Sequence, residues 1–234
     1  MAFAYYGAKH GLSRKYPPPR YPTIIEPFAG AAGYSCRWAT TTHQVLVNDA
    51  DPAVTQLWQR LASTTNSDLM AVSPVVGERT TDPLIASTGG SSSWAGTAYG
   101  GNRQVTPRMV KDWPYVRRRI LRVLPLLSAW TFTNGDYRDL PDIEATWFID
   151  PPYQPLGTMA GNGYKHGAAD INYTELAEWC QSRKGQVIVC EQAPADWLPF
   201  RPLATQRHAG GSTAGAFRTE VVWTSDADTL DIAA

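Results

Sequence analysis

Cysteine is scarce. Cys36, Cys180 and Cys190 are the only three in 234 residues, and their spacing builds no metal site. Cys36 and Cys190 stand in or beside apolar runs, as buried thiols in a reducing cytoplasm would. No run of 18 apolar residues occurs, which excludes a membrane-spanning helix. Met1 to His10 lacks the apolar core of a signal peptide, so a soluble, cytoplasmic protein without a membrane partner is expected. Net charge is absent too, since 21 basic residues balance 21 acidic ones. No global field therefore announces nucleic acid, although local patches can still do so. Neither a Walker lysine motif nor a Gly-x-Gly-x-x-Gly turn is present. Tryptophan and tyrosine, by contrast, are plentiful at nine and eleven copies, which fits a protein that stacks on a ligand or a base.

The most informative stretch is Thr146 to Tyr153. An apolar, aromatic run stops at Asp150-Pro151-Pro152-Tyr153. Neither proline donates a ladder hydrogen bond, so a buried strand should end there with Asp150 at its C-terminal tip. Ligands of open α/β sheets sit outside those tips. Asp150 and a neighbouring carbonyl can accept hydrogen bonds, and Tyr153 offers a ring face. That clamp matches a flat molecule with an exocyclic amine. A strand closed by a proline turn gives the same letters.

The pattern recurs along the chain. Thr23 to Glu26 reads as a strand breaking into the small-residue turn Pro27-Phe28-Ala29-Gly30-Ala31-Ala32-Gly33, with a helix following from about Tyr34. Gln44 to Asp49 is a second strand, and Asp49 lies at the distance from Gly30 at which an acid can bind ribose hydroxyls. Asp51-Pro52 opens a helix whose core face is Val54, Leu57, Trp58 and Leu61. Residues 63–105 are rich in Ser, Thr and Gly and read as a long functional loop or a disordered insertion. Thr106-Pro107 and Asp112-Trp113-Pro114 are two helix-start signals. Trp130 to Tyr137 is a third strand, Gln186 to Glu191 a fifth, Leu203 to Arg207 a weak sixth and Glu220 to Thr224 a seventh. The late strands, joined with little helix, suggest an antiparallel finish. Arg103, Arg108, Arg117, Arg118, Arg119 and Lys165 are the candidate phosphate contacts, or else a solvated face.

Alternating strands and helices imply a mainly parallel sheet, so Glu26, Asp49, Asp136 and Asp150 share one edge. Here the chain resembles the Dam-like DNA adenine methyltransferases, a class I branch that uses S-adenosylmethionine. The resemblance rests, in order, on Tyr5-Tyr6-Gly7-Ala8-Lys9, Glu26-Pro27-Phe28-Ala29-Gly30, Asn48-Asp49, Gly135-Asp136-Tyr137 and Asp150-Pro151-Pro152-Tyr153. It spans most of the chain and looks like a compact phage version. It implies one Rossmann-like domain over 1–234, a mainly parallel seven-stranded sheet with an antiparallel C-terminal strand, and a target-recognition insertion at about 66–112.

By that resemblance, Tyr6, Gly7, Ala8, Lys9, Glu26, Pro27, Phe28, Ala29 and Gly30 line the methionine end of the cofactor. Asp49 binds the ribose, Asp136 accepts from the cofactor adenine, and Tyr137 lies beside that ring. Asp150, Pro151, Pro152 and Tyr153 hold the target base of double-stranded DNA, flipped from its stack. Family turns often read Phe-x-Gly-x-Gly, whereas Ala32 stands at the second glycine here. Each cysteine follows Ser35, Trp179 or Val189, so the Pro-Cys nucleophile of cytosine C5 methylation is missing. Three readings remain open: adenine N6 methylation, which the aspartate at 150 favours, cytosine N4 methylation, and a non-catalytic nucleic-acid-binding protein that keeps the fold.

Overall fold

The computed structural model describes Phe3 and residues 12–80, 82–86, 103–155, 167–207 and 217–226. Strands β1 (Thr23–Glu26), β2 (Gln44–Asp49), β5 (Trp130–Asn134), β6 (Ala145–Ile149), β7 (Gly185–Gln192), β8 (Arg201–Arg207) and β9 (Phe217–Thr224) form one sheet. Its order is β5-β2-β1-β6-β7-β9-β8. Neighbours from β5 to β7 are parallel, while β9 runs antiparallel to both β7 and β8. The molecule is therefore a Rossmann-like α/β protein with a seven-stranded, mainly parallel sheet. The antiparallel finish is one strand slotted between two others that share the common direction.

Strands β1, β2, β6, β7 and β9 alternate between two cores. Ile24, Val45, Val47, Phe148, Ile188 and Val222 join one cluster, while Ile25, Trp147, Ile149, Val187 and Val189 join the other. Helices α2 (Pro52–Ala62) and α5 (Pro107–Val123) contribute to the first cluster through Leu57, Trp58, Leu61, Trp113, Val116 and Ile120. Helix α6 (Tyr173–Ser182) contributes Leu176 and Cys180 to the second. The helix after the first turn, α1, is short and spans Ser35–Trp38. Among the described residues, no helix is long and apolar enough to cross a membrane.

Two expectations need correction. The stretch 63–105 is not one loop, because it holds α3 (Asn66–Ala71), α4 (Pro83–Ala86) and a two-stranded antiparallel ladder of β3 (Arg79–Thr80) with β4 (Arg103–Gln104). Its own letters encode α3: the Thr65 hydroxyl accepts from the Asp68 backbone, and the Asp68 carboxylate accepts from the Thr65 backbone. The two helix-start signals near Thr106 and Asp112 also belong to one helix. Thr106 caps α5 with Pro107 first, and Pro114 lies inside it. That proline forgoes one backbone bond, while Trp113 on the buried face donates to the Val72 carbonyl at 2.9 Å.

Candidate active site

The parallel strands all deliver an acid to one edge. β1 ends at Glu26, β2 at Asp49, β6 hands over to Asp150, and β7 carries Glu191 one residue from its end. Asp136 follows β5 by two residues. Strand order reverses between β1 and β6, so Glu26 and Asp150 flank the crevice where doubly wound folds take ligands.

The turn after β1 is built around Asp49. The Gly30 N–H donates to Asp49 Oδ2 and the Asp51 N–H to Asp49 Oδ1, both at 2.9 Å. Gly30 has φ 47°, and the Gly30 carbonyl accepts from Trp58 Nε1 at 2.8 Å. Ala32 also has a positive φ, 43°. The backbone thus keeps the left-handed conformation that a glycine would favour, and the alanine bears the strain. Asn48, which is buried, ties three strand ends together. Its Nδ2 donates to the Pro27 and Gly135 carbonyls at 3.0 Å, and its Oδ1 accepts from Thr133 at 2.9 Å.

Asp136 is held in a fork by Arg138, through Nε at 2.9 Å and Nη2 at 2.7 Å. That hydrogen-bonded pair keeps its carboxyl below the usual range. Tyr137 is buried, with its ring 5.1 Å from Phe28 and edge-on to Trp179 at 5.0 Å. Its ring therefore packs in the second core, with Phe28 beside it. A side chain on neighbouring Gly135 would meet nothing within 4 Å, so the tip of β5 borders open space.

The clamp is held from behind. Pro151 is buried, and the Pro152 carbonyl accepts from the Tyr173 hydroxyl at 2.7 Å. Tyr153 is half-buried, with its hydroxyl turned inward to Glu220 Oε1 at 2.7 Å. Glu191 accepts from the backbone N–H groups of Gln154 and Gln192 and from Trp197 Nε1. Burial pushes the Glu191 carboxyl up to about 7 against those bonds, and the charge of Asp150 adds to the rise. Glu26 behaves alike. Burial raises it to about 7, the hydrogen bond from the Ser35 N–H at 2.7 Å opposes this, and Asp150 adds a smaller rise.

Among the described residues, the basic candidates of α5 are spread along the helix. Arg108 is exposed and pairs with Asp112 at 3.4 Å. Arg118 is exposed and Arg117 half-buried, while Arg119 lies 5.3 Å over the Tyr115 ring. Helix α5 leads through 124–129 into the N-terminal end of β5, so Arg117 to Arg122 lie toward the edge opposite the acids. Arg103 belongs to β4. Tyr6, Gly7, Ala8, Lys9 and Lys165 lie outside the described residues.

Sequence reasoning missed Asn48 as a hub, and it missed Tyr16, Tyr173, Glu191 and Glu220. Glu191 had a signal, because it closes an apolar strand with an acid as its counterparts do. Tyr16 and Glu220 had none, being 204 residues apart. No protein-family model matches the chain, and no curated protein matches it.

Proposed function

We propose that the protein is a DNA methyltransferase that moves a methyl group from S-adenosylmethionine to the N6 amine of adenine. The observation that carries the reading is the convergence of Glu26, Asp49, Asp136 and Asp150 on one sheet edge, with the Asp-Pro-Pro-Tyr clamp beside the strand-order switch. The resemblance in five ordered motifs supports it.

The residues fit the cofactor. Asp49, held by the Gly30 and Asp51 N–H groups, stands at the tip of β2 where an acid can meet ribose hydroxyls. Open space over Gly135 leaves room for a ring beside Asp136. When bound, the cofactor supplies an electrophilic methyl group. The chain supplies position. The Asp150 carboxylate and the Pro151 carbonyl accept the two hydrogens of the target amine, drawing its lone pair out of the purine ring. Tyr153 stacks on the flipped base. The interaction with Asp150 strengthens as positive charge builds on the attacking nitrogen, which is how a preorganised carboxylate lowers a barrier. Buried Glu26 and Glu191, raised to about 7, limit the negative charge crowded around Asp150.

The decisive experiment is incubation of the full chain with duplex DNA and S-adenosylmethionine, followed by mass spectrometry of the nucleosides. N6-methyladenine is the expected product. N4-methylcytosine would move the reading to the other exocyclic amine, and unmodified DNA would end it.

A further inference from the structure

Glu220 stands on β9, the one strand that runs against the rest of the sheet, and no motif covers it. Its Oε1 accepts two phenol hydroxyls, Tyr16 at 2.6 Å and Tyr153 at 2.7 Å. Two donors occupy both lone pairs of one oxygen, which fixes each phenol in direction as well as distance. Tyr16 is itself packed in the core. It is 1% exposed, and its ring meets Phe148 edge-on at 5.0 Å. Phe148 belongs to β6, the strand that delivers Asp150. A rigid path therefore runs from the β6 core through Tyr16 and Glu220 to the last residue of the clamp. On the other side, Glu191 holds the Gln154 backbone and Tyr173 holds the Pro152 carbonyl. Three successive residues, the last two of the clamp and Gln154 after it, are fastened by groups from β7, β9 and α6.

We infer that Glu220 is a positioning residue: by holding the Tyr153 hydroxyl against the fixed Tyr16, it sets the angle at which the Tyr153 ring meets a target base. The inference rests on the methyltransferase reading for what the ring does, but the tether itself is independent of it. The Tyr153 hydroxyl is committed to Glu220, so Tyr153 serves the base with its ring. A catalytic proton transfer is not its task.

The test compares the full-length wild type with Glu220→Ala, Glu220→Gln and Tyr153→Phe. Hydrogen exchange at the Tyr153 and Gln154 amides reports the tether without any substrate. Glu220→Ala should speed it about tenfold or more, and Glu220→Gln, whose amide oxygen still accepts both hydroxyls, should restore protection. In turnover, Glu220→Ala and Tyr153→Phe should each lower kcat about 10- to 100-fold, the range for a misplaced reacting group, with the Kd for S-adenosylmethionine unchanged. The glutamine variant should recover most of that loss. Unchanged exchange in Glu220→Ala overturns the tether. Faster exchange with wild-type kcat in both Glu220→Ala and Tyr153→Phe overturns the positioning role. Absence of methylated DNA from the wild type strikes the parent reading instead, and exchange still judges Glu220. Tyr153→Phe loses a single oxygen, so it keeps the test open where Glu220→Ala fails to fold.

Discussion

Glu26→Gln tests the electrostatics of the strand tips in isolation. Glu26 is 2% exposed and its carboxyl is raised from 4.5 to about 7. At 1.36 kcal/mol per pH unit, its ionisation in the folded protein costs about 3 kcal/mol relative to the unfolded chain. The folded state binds this proton more tightly than the unfolded state does. Its contribution is therefore complete below pH 4.5 and is lost as pH rises through about 7. Glutamine cannot ionise and escapes that loss, while its amide oxygen can still accept from the Ser35 N–H. Its buried amide NH2 adds a cost of about 1–3 kcal/mol where it finds no acceptor, but that cost does not vary with pH. The quantity to measure is the difference in unfolding free energy between wild type and variant, by urea denaturation from pH 5 to 8.5. It should shift in the variant's favour by about 2–3 kcal/mol, most steeply between about pH 5 and 6.5, and level off above about pH 7. Parallel pH profiles would show that Glu26 keeps an ordinary carboxylate range. Subtraction removes the other acids, including Glu191, which titrates in the same window.

The remaining expectations concern the acids and the basic face. Asp150→Ala should lower turnover by about 10²–10³ with cofactor affinity near wild type, and a folded variant at full rate would remove Asp150 from the reaction. Asp49→Asn keeps one acceptor for the two backbone donors Gly30 and Asp51, so it should cost about 1–3 kcal/mol of stability even without ligand, besides weakening S-adenosylmethionine in calorimetry. Wild-type stability and affinity together would mean that Asp49 pins neither the turn nor the cofactor. Arg108 is at the start of α5 and Arg122 near its end, so Arg108→Gln should lower the log–log salt slope of DNA binding by about 0.9 and Arg122→Gln should not. The reverse pattern would carry the DNA across the other edge of the sheet.

The sheet was legible because its strands are buried and their ends are chemically marked. Val45-Leu46-Val47 and Trp147-Phe148-Ile149 are unbroken apolar runs, as strands covered on both faces must be, and each closes in a carboxylate. The helix boundaries were legible where a cap stood alone, as at Asp51-Pro52. They failed where a proline contradicted the pattern. Pro114 looked like a helix start, but the buried stripe Met109, Trp113, Val116, Ile120 and Val123 continues through it, and burial outweighs one lost backbone bond. In the 63–105 stretch, polar composition hid the capping box of Thr65 and Asp68, a local signal drowned by the glycines and serines downstream.

What no local pattern could show is the support behind the clamp. Asp-Pro-Pro-Tyr names the groups proposed to meet a substrate, and says nothing of what keeps them still. The prolines stiffen the backbone, yet they leave the Tyr153 side chain free to rotate. In the fold, Tyr173 is bound to the Pro152 carbonyl, Glu220 to the Tyr153 hydroxyl and Glu191 to the Gln154 N–H, three partners that lie between 21 and 67 residues away in sequence. Each is a polar group brought to the clamp by β7, β9 or α6, which explains why the antiparallel end of the sheet matters to a site at its centre. β9 lies between β7 and β8 and carries Glu220 opposite Gln192, next to Glu191. Without that strand, Tyr16 and Tyr153 would each lose the acceptor that joins them. A short motif can thus be read from four letters, but its rigidity belongs to the topology, and the proposed chemistry needs that rigidity to aim a carboxylate at an amine.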